Sequence, residues 1–209
     1  MKLNELTPHV AKHLVRHKWE TPRQVVFYLK KSGYVEIGKG NYASAWSKRG
    51  TNSIVKVSGF EDRGWLHFLE FIKENKSPYL PKVSRVIKYV TDFSDGIKDT
   101  NYIAFMERLE HMGITLEDNC MAVIYAFTKL YNGSEFDILE IEKHLFAKYK
   151  AHDTSYRYLR ALEFFEKKFP GFNELIFKII RSNPTIDLHE RNIMCRSNGT
   201  PVITDPWAD

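Results

Sequence analysis

The sequence predicts an α+β fold in which an antiparallel sheet with one inserted helix precedes a mainly helical region. Three observations support this prediction. Short runs rich in β-forming residues alternate with Gly, Asn and Ser between residues 33 and 106. Apolar residues at helical spacing dominate residues 116–181. The pair Asn198-Gly199 then marks a hairpin turn near the end of the sequence.

The first predicted elements are two helices. Residues 4–31 have apolar positions at helical spacing, interrupted at Glu20-Thr21-Pro22. Thr21 should cap the second helix, because its side-chain oxygen can accept a hydrogen bond from an amide of the first helical turn. Since an apolar helix face needs a surface to cover, we expect both helices to pack on a lobe of the protein.

The remaining elements follow in order along the chain. Five runs predict strands, and they cover residues 34–37, 42–47, 53–57, 83–90 and 102–106. Residues 62–75 predict a helix between the third and fourth strands, and a polar turn at 92–99 should join the last two. The helical region has breaks near 132–133, near 153 and at 170–171, and strands at 193–195 and 201–204 complete the chain.

Composition restricts the class of protein. The 209 residues are 43% apolar, which is enough for one sizeable core or two small lobes. No apolar run is long enough to cross a membrane, and the start lacks the pattern of a signal peptide, so we expect a cytoplasmic protein. Cys120 and Cys195 are far apart in the sequence and should be reduced, structural thiols. The net charge of +5 is mild, and we expect no direct binding of nucleic acid.

Glycines occupy the turn between the first two predicted strands, in Gly38-Lys39-Gly40-Asn41-Tyr42-Ala43. Because glycine has no Cβ, backbone amides there can approach phosphate oxygens closely. A hairpin turn without a ligand gives the same pattern. A dinucleotide-binding fingerprint fits less well, since a strand and not a helix follows the glycines.

Lys56 lies in the middle of the apolar run 53–57. A buried ammonium group needs an anionic partner. Phosphates at the glycine turn would provide one, with a helix carboxylate holding the amine in place. Glu70 and Glu74, one turn apart on the next predicted helix, are the candidates, and we prefer Glu70 because its neighbours are apolar. Alternatively, Lys56 and both glutamates face solvent.

The segment Ile186-Asp187-Leu188-His189-Glu190-Arg191-Asn192 precedes the terminal hairpin, and Asp205 follows its return strand. Strand pairing should bring Asp205 back beside Asn192. Two carboxylates and an amide oxygen suit a hard cation such as Mg²⁺, which also bridges nucleotide phosphates. We expect His189 to brace the loop. Ordinary loop chemistry is the alternative, since Asp and Asn are common in turns.

These motifs resemble the protein-kinase-like superfamily. The pattern Asp-x-His-x-x-Asn, followed thirteen residues later by an Asp after an apolar strand, is similar to its catalytic loop and metal-binding Asp. The Asp187-Leu188-His189 form resembles that of aminoglycoside and choline phosphotransferases. Residues 38–60 and 187–206 look most like the early serine/threonine protein kinases of T-seven-type bacteriophages.

The resemblance implies a two-lobed protein-kinase-like fold. The N-lobe would cover residues 1–106, with N-terminal helices over 1–32 and the sheet and its helix over 33–106. A mainly helical, truncated C-lobe would cover 107–209. The implied activity is that of a phage-encoded, ATP- and Mg²⁺-dependent serine/threonine protein kinase acting on host proteins.

The resemblance also implies how the nucleotide would be bound. Gly38 and Gly40 would cover the phosphates, and Lys56 would bind the α- and β-phosphates. Backbone groups of Glu107 and Leu109 would meet the adenine edge, at the position where such kinases have the hinge between their lobes.

The remaining implied roles belong to the reaction itself. Asp187 would orient the substrate hydroxyl and act as base, and Asn192 and Asp205 would be Mg²⁺ ligands. Asp205-Pro206-Trp207 stands where protein kinases have Asp-Phe-Gly, and the given sequence contains no activation segment after it. We therefore expect substrate recognition to differ from that of typical protein kinases.

Two other functions remain open. A small-molecule phosphotransferase of the aminoglycoside type shares the Asp-x-His-x-x-Asn loop, although no acidic pocket for a cationic sugar is evident. A kinase-like protein without catalytic activity could instead inhibit a host enzyme by binding to it. All the polar positions of the catalytic motifs are filled, which favours an enzyme.

Overall fold

The structure, a computed structural model, describes residues 8–59, 62–92, 98–131, 153–182 and 186–207. These residues form a five-stranded antiparallel sheet, a three-stranded sheet and six α-helices. The predicted α+β class is confirmed. The centre of the predicted turn at 92–99 and the break near 132–133 lie outside the described residues, as does residue 60 of the kinase-like segment. No described helix is long and apolar enough to span a membrane.

The chain divides into two compact units. The first comprises the described residues up to Leu66 together with Pro81–Arg108, and the second comprises His67–Leu80 and the described residues from Leu109 onward. The predicted lobe boundary at 106–107 is close to Arg108. Residues 67–80, however, belong to the second unit and not to the first.

Aromatic contacts explain why residues 67–80 belong to the second unit. The ring of Phe68 meets that of Trp207 edge to face at 5.8 Å between centroids, and Phe71 meets it at 5.4 Å. The backbone amide of Ile203 donates a hydrogen bond to the carbonyl oxygen of Tyr79. These partners are far away in sequence, so helical periodicity could not reveal them.

The first unit is built on the five-stranded sheet. Its strands are β1 (Val35–Lys39), β2 (Ala43–Ser47), β3 (Ser53–Ser58), β4 (Val83–Asp92) and β5 (Lys98–Glu107). Every pairing is antiparallel, and the strand order is β1-β2-β3-β5-β4. All five strands were predicted, and the structure extends the first, third, fourth and fifth beyond the predicted bounds. Gly38 therefore lies at the end of β1 and not in the predicted turn.

Two helices cover one face of this sheet, as expected from their apolar spacing. They are α1 (Pro8–Arg16) and α2 (Pro22–Lys31). Thr21 caps α2, and its side-chain oxygen accepts a hydrogen bond from the Gln24 amide at 3.3 Å. Gly33, at φ +80°, ends α2 in a backbone conformation that side chains other than glycine rarely adopt.

One apolar core joins the helices to the sheet. It includes Leu14 of α1 and Leu29 of α2, both fully buried, and the sheet residues Trp46, Val55 and Phe105. The N-terminal segment is therefore part of the folded first unit, and its removal would expose the sheet face that it covers.

We expect Leu14→Ala to lower the free energy of unfolding by about 3 kcal/mol, because it removes a buried side chain and leaves a cavity between helix and sheet. Urea unfolding monitored by circular dichroism measures this change. The matched control is Lys12→Ala on the exposed side of the same helix, which should change the stability by less than about 0.5 kcal/mol. Equal stability of Leu14→Ala and the wild type would show that α1 does not contribute to the core.

The second unit contains most of the helical residues. Helix α3 (Arg63–Glu74) begins in the first unit and continues into the second. It is followed by α4 (Ile114–Tyr131), α5 (Asp153–Lys168) and α6 (Phe172–Ser182), whose buried side chains include Phe127, Phe165 and Ile176. Helical periodicity predicted all four.

A three-stranded sheet completes the second unit. Its strands are β6 (Glu110–His111), β7 (Ile193–Cys195) and β8 (Pro201–Ile203). Gly199, at φ +78°, turns the chain between β7 and β8, as the Asn198-Gly199 pair predicted. Strand β6 was not predicted, because two exposed residues have no periodicity to recognise.

Both cysteines are free and buried, as expected of structural thiols. Burial raises the pKa of the Cys120 thiol, and the nearby Glu117 carboxylate adds to this effect. Burial likewise raises the pKa of Cys195, with a smaller contribution from Glu110. A raised pKa keeps a thiol protonated, which makes it a poor nucleophile at neutral pH.

Candidate functional site

The loop that precedes β7 is anchored by backbone hydrogen bonds. The amide of Asp187 donates to the carbonyl oxygen of Pro206 at 2.8 Å. At the other end, the amide of Thr204 donates to the carbonyl oxygen of Asn192 at 2.9 Å. The loop is thus tied to the chain on both sides of Asp205, which immediately follows Thr204. Strand pairing brings the two segments together in the way that the hairpin signal predicted.

The side chain of Asn192 reaches back across this loop. Its Nδ2 donates to the backbone oxygen of Asp187 at 2.7 Å and lies 3.4 Å from the carboxylate Oδ2 of the same residue. Since the nitrogen and oxygen of an amide point in opposite directions, Asn192 Oδ1 is turned away from Asp187. The orientation of this oxygen is therefore set by a bond to the backbone.

Asp187 itself is accessible, with its side chain 50% exposed. Its Oδ2 lies 3.7 Å from Nε2 of His189. The other ring nitrogen of His189, Nδ1, accepts a hydrogen bond from the backbone amide of Arg191 at 3.1 Å and caps the short 3₁₀ helix Glu190–Asn192. Nε2 also lies 3.2 Å from Nδ2 of Asn192, so the ring contacts both ends of the loop and braces it beneath a carboxylate that solvent can reach.

The loop and hairpin contain two side-chain oxygens of the kinds that bind magnesium. Asp205 has a buried carboxylate oxygen, Oδ1, and Asn192 presents an amide oxygen whose direction is fixed. Mg²⁺ uses one or two such protein ligands and completes its shell with water and phosphate. Within the described ranges, no group of three or more His, Cys, Asp or Glu is placed to hold a metal ion. A site with one carboxylate and one amide does not require such a group.

Lys56 lies in a row of small residues that crosses the sheet of the first unit. It pairs with Ala45 on one side and Ala104 on the other, and Ala45 pairs in turn with Gly38. Its neighbours Val55 and Val57 point into the core beneath α1 and α2, so Lys56 points to the opposite face of the sheet. The row therefore presents one long cationic side chain above a surface of methyl groups and backbone.

The carboxylate beside Lys56 belongs to Asp62. Lys56 Nζ lies 3.5 Å from Asp62 Oδ2, and both side chains are about nine-tenths buried, at 12% and 11% exposure. The ammonium also lies 3.8 Å from the ring centroid of the buried Trp65. The predicted partner was Glu70, with Glu74 as the alternative, and both are exposed on α3. Asp62 thus takes the position for which a glutamate of the helix was predicted.

Asp62 was missed because its sequence context suggests another role. It comes immediately before α3, and its carbonyl oxygen accepts a hydrogen bond from the amide of Leu66 at 3.2 Å. An Asp at this position is commonly a helix cap. Proximity of Asp62 to the end of β3 is the signal that could have found it, since only a short connection separates the two.

The fold does not require glycine at Gly38 or Gly40. Neither has a positive φ. A Cβ added at Gly38 would lie 3.9 Å from Cβ of Ala45, and one at Gly40 would lie 3.8 Å from the carbonyl oxygen of Ala43, both ordinary contact distances. Two glycines without a conformational reason favour the interpretation in which a ligand approaches the backbone.

If the glycine turn covers the phosphates of ATP, as the resemblance implies, Gly40→Ala should weaken ATP binding about tenfold and leave the melting temperature unchanged, because the added methyl group would stand where phosphates approach the amides. Calorimetric titration with ATP and thermal unfolding together test this. Gly50→Ala is a useful contrast, since Gly50 has φ +78°. This substitution should lower the melting temperature and should not directly change the affinity for ATP. Unchanged ATP affinity of Gly40→Ala would assign Gly40 to a plain turn.

The residues implied to meet adenine lie at the end of β5 and just beyond it. Glu107 is buried, its amide donates to the carbonyl oxygen of Lys82 at 3.0 Å, and its carboxylate accepts from the amide of Lys82 at 2.8 Å. A contact of Glu107 with adenine would therefore not use its amide or its carboxylate, since both are bonded to Lys82. Leu109 is half-buried at the start of the second unit.

No protein-family model and no curated protein matches the chain. The kinase-like resemblance therefore depends on the motifs themselves.

Proposed function

We propose that the chain is an ATP- and Mg²⁺-dependent phosphotransferase of the protein-kinase-like type that phosphorylates serine or threonine hydroxyls of proteins. One observation carries the proposal above all. Asp187, Asn192 and Asp205 are gathered by a single loop and hairpin, with a half-exposed carboxylate on one side and an oriented amide oxygen and a buried carboxylate oxygen on the other. This separation of an accessible base from oxygen donors suits phosphoryl transfer.

Asn192 and Asp205 would hold magnesium in this proposal. When bound, the ion would neutralise charge on the nucleotide phosphates and help to align them. The contribution of the chain is to fix two oxygen ligands before the nucleotide arrives. Asn192 is oriented by the backbone of Asp187, and Asp205 is placed by the return strand of the hairpin.

Asp187 would act on the substrate hydroxyl. Its exposed carboxylate can accept a hydrogen bond from the hydroxyl group and then its proton, while the hydroxyl oxygen bonds to the γ-phosphorus. The bond between that phosphorus and the β,γ-bridging oxygen breaks, and ADP leaves. The positions of Asp187 and Asn192 are coupled through the 2.7 Å hydrogen bond between them.

Lys56 would bind the α- and β-phosphates. Its ammonium is held beside Asp62 and Trp65, on the face of the sheet opposite α1 and α2, in a row where its strand neighbours are Ala45 and Ala104. Asp62 would hold the amine in place, which is the role that was predicted for Glu70.

We expect Lys56→Ala to reduce both ATP affinity and turnover, and Asp62→Asn to cause a smaller loss, on the order of tenfold, because the amide keeps the shape of the side chain but not its charge. Initial rates over a range of ATP concentrations separate the two effects. Glu70→Gln serves as the matched control and should behave like the wild type. A large loss of ATP affinity or turnover in Glu70→Gln, with none in Asp62→Asn, would show that Glu70 and not Asp62 is the functional partner of Lys56.

The proposed function is tested by supplying labelled ATP together with either bacterial lysate or a panel of aminoglycosides. Label on protein serine or threonine supports the proposal, while label on an aminoglycoside would favour the small-molecule alternative. No transfer, together with no Mg²⁺-dependent thermal shift by any nucleotide, would favour a non-catalytic binding protein. Mass spectrometry of phosphosites in cells expressing the wild type or Asp187→Ala would identify the substrates.

A further inference from the structure

Positive charge is concentrated in one part of the fold. Residues 8–59 contain ten Lys or Arg and two Asp or Glu, a formal charge of +8, which leaves −3 for the rest of a chain whose total is +5. The mild net charge that argued against nucleic-acid binding is therefore an average over two unlike parts. Such asymmetry is typical of proteins that bind polyanions.

The helices α1 and α2 carry much of this charge on their outer surfaces. Both bury their apolar side chains against the same sheet, so the opposite side of each helix points away from the sheet. On those sides lie the exposed residues of what we call the basic face, namely Lys12, Arg16, Arg23, Phe27, Lys30 and Lys31. Spacings of three, four and eight residues align them along each helix.

Phe27 is the unusual member of the basic face. Its side chain is 59% exposed, at the centre of the outer side of α2, with Arg23 and Lys31 one turn away on either side. Lys31 Nζ lies 4.4 Å from the centroid of the ring. No core function explains an exposed aromatic ring among cations, and none of the five cations of the face is ion-paired with another described residue.

More rings lie where α1 meets α2. His13 stacks on Tyr28 at 4.2 Å and on His17 at 5.0 Å between ring centroids. His13 and Tyr28 are partly exposed and His17 is exposed. Planar side chains interleaved with cations are the combination with which proteins bind single-stranded nucleic acids, because every base has a face on which to stack and every nucleotide carries a phosphate.

We propose that the basic face of α1 and α2 binds single-stranded nucleic acid. A membrane surface fits less well, since the apolar sides of both helices are already buried on the sheet and one phenylalanine gives little area for insertion. An acidic polypeptide could pair with the cations, but it would have no use for the exposed ring. The inference does not depend on phosphotransfer, because no residue of the basic face belongs to the proposed catalytic site.

The test uses the full chain with fluorescein-labelled oligo(U) and oligo(dT) of twenty nucleotides, measured by anisotropy at several KCl concentrations. Arg23→Glu/Lys31→Glu should weaken binding tenfold or more and reduce the slope of log K against log salt by about 1.4, the value expected for two lost phosphate contacts. Phe27→Ala should weaken binding about fivefold or more with the slope unchanged, because it removes stacking and no charge.

Controls separate this site from the rest of the protein. Lys178→Glu/Arg181→Glu makes the same charge change at exposed positions of α6 and should leave the affinity for the oligonucleotides within about twofold of the wild type. Lys56→Ala should also bind them normally, so failure of the phosphotransfer proposal would not affect this result. Circular dichroism verifies that each variant is folded.

Three outcomes would overturn the inference. The first is the absence of saturable binding to either oligonucleotide at low salt. The second is equal loss in the α6 control, which would indicate a general charge effect. The third is competition by polyglutamate at an equal concentration of charges together with unchanged binding of Phe27→Ala, which would make the face a surface for acidic polypeptides.

Discussion

Replacing Asp205 with alanine should abolish measurable turnover and Mg²⁺-dependent ATP binding together. In the transferred phosphoryl group, charge is spread over the equatorial oxygens, so cations and positioning supply most of the rate enhancement. Asp205 is the carboxylate proposed to hold magnesium, and its buried Oδ1 leaves little room for water to substitute as an equally fixed ligand. Calorimetric titration with ATP, in the presence of Mg²⁺ and of EDTA, measures the binding part of this prediction.

Two further variants make the Asp205 experiment specific. Asp205→Asn keeps the size of the side chain and one oxygen, and it should retain the fold while losing most Mg²⁺-dependent binding, because a neutral ligand attracts the cation less strongly. Glu163→Ala removes an exposed carboxylate from α5 and should have no effect. If Asp205→Ala bound ATP with the same dependence on Mg²⁺ as the wild type, Asp205 would not be a metal ligand.

Local sequence signals predicted most of the fold. The Thr21 cap, the Asn198-Gly199 turn and the alternation around Lys56 each depend on residues within a few positions of one another, and the structure contains all three features. The position of Asp205 beside the loop 187–192 was predictable for the same reason, because a short hairpin connects them. The pairing of β7 with β8 determines that Asp205 returns toward Asn192, so the sequence order alone was enough to predict it.

Features that depend on distant contacts were not predicted. Residues 67–80 belong to the second unit because Phe68 and Phe71 pack on Trp207, which no local pattern encodes. Asp62, by contrast, is only six residues from Lys56, and it was missed because an Asp just before a helix is expected to be a cap. The basic face also emerged only from the fold, since burial of the apolar sides of α1 and α2 determines which cations remain outside.

Asp187→Ala should separate binding from chemistry. ATP should still bind with nearly normal affinity, because the proposed role of this carboxylate is toward the substrate hydroxyl and not toward the nucleotide, while the chemical step should slow by about 100-fold or more. The loop should keep its geometry in this variant. Its strong hydrogen bond, from Asn192 Nδ2, goes to the backbone oxygen of Asp187 at 2.7 Å. The carboxylate that is removed makes longer contacts, 3.4 Å to the same nitrogen and 3.7 Å to Nε2 of His189.

Single-turnover kinetics with saturating ATP isolates the chemical step for Asp187→Ala, and equilibrium titration measures the nucleotide affinity separately. Asp187→Asn is the matched variant, since it retains an oxygen that can accept the hydroxyl hydrogen bond but cannot act as base. A small loss in Asp187→Asn beside a large one in Asp187→Ala would indicate that the residue mainly orients the hydroxyl. Removal of the base must slow proton transfer. If Asp187→Ala phosphorylated proteins as fast as the wild type while Asp205→Ala did not, Asp187 would therefore not be the base.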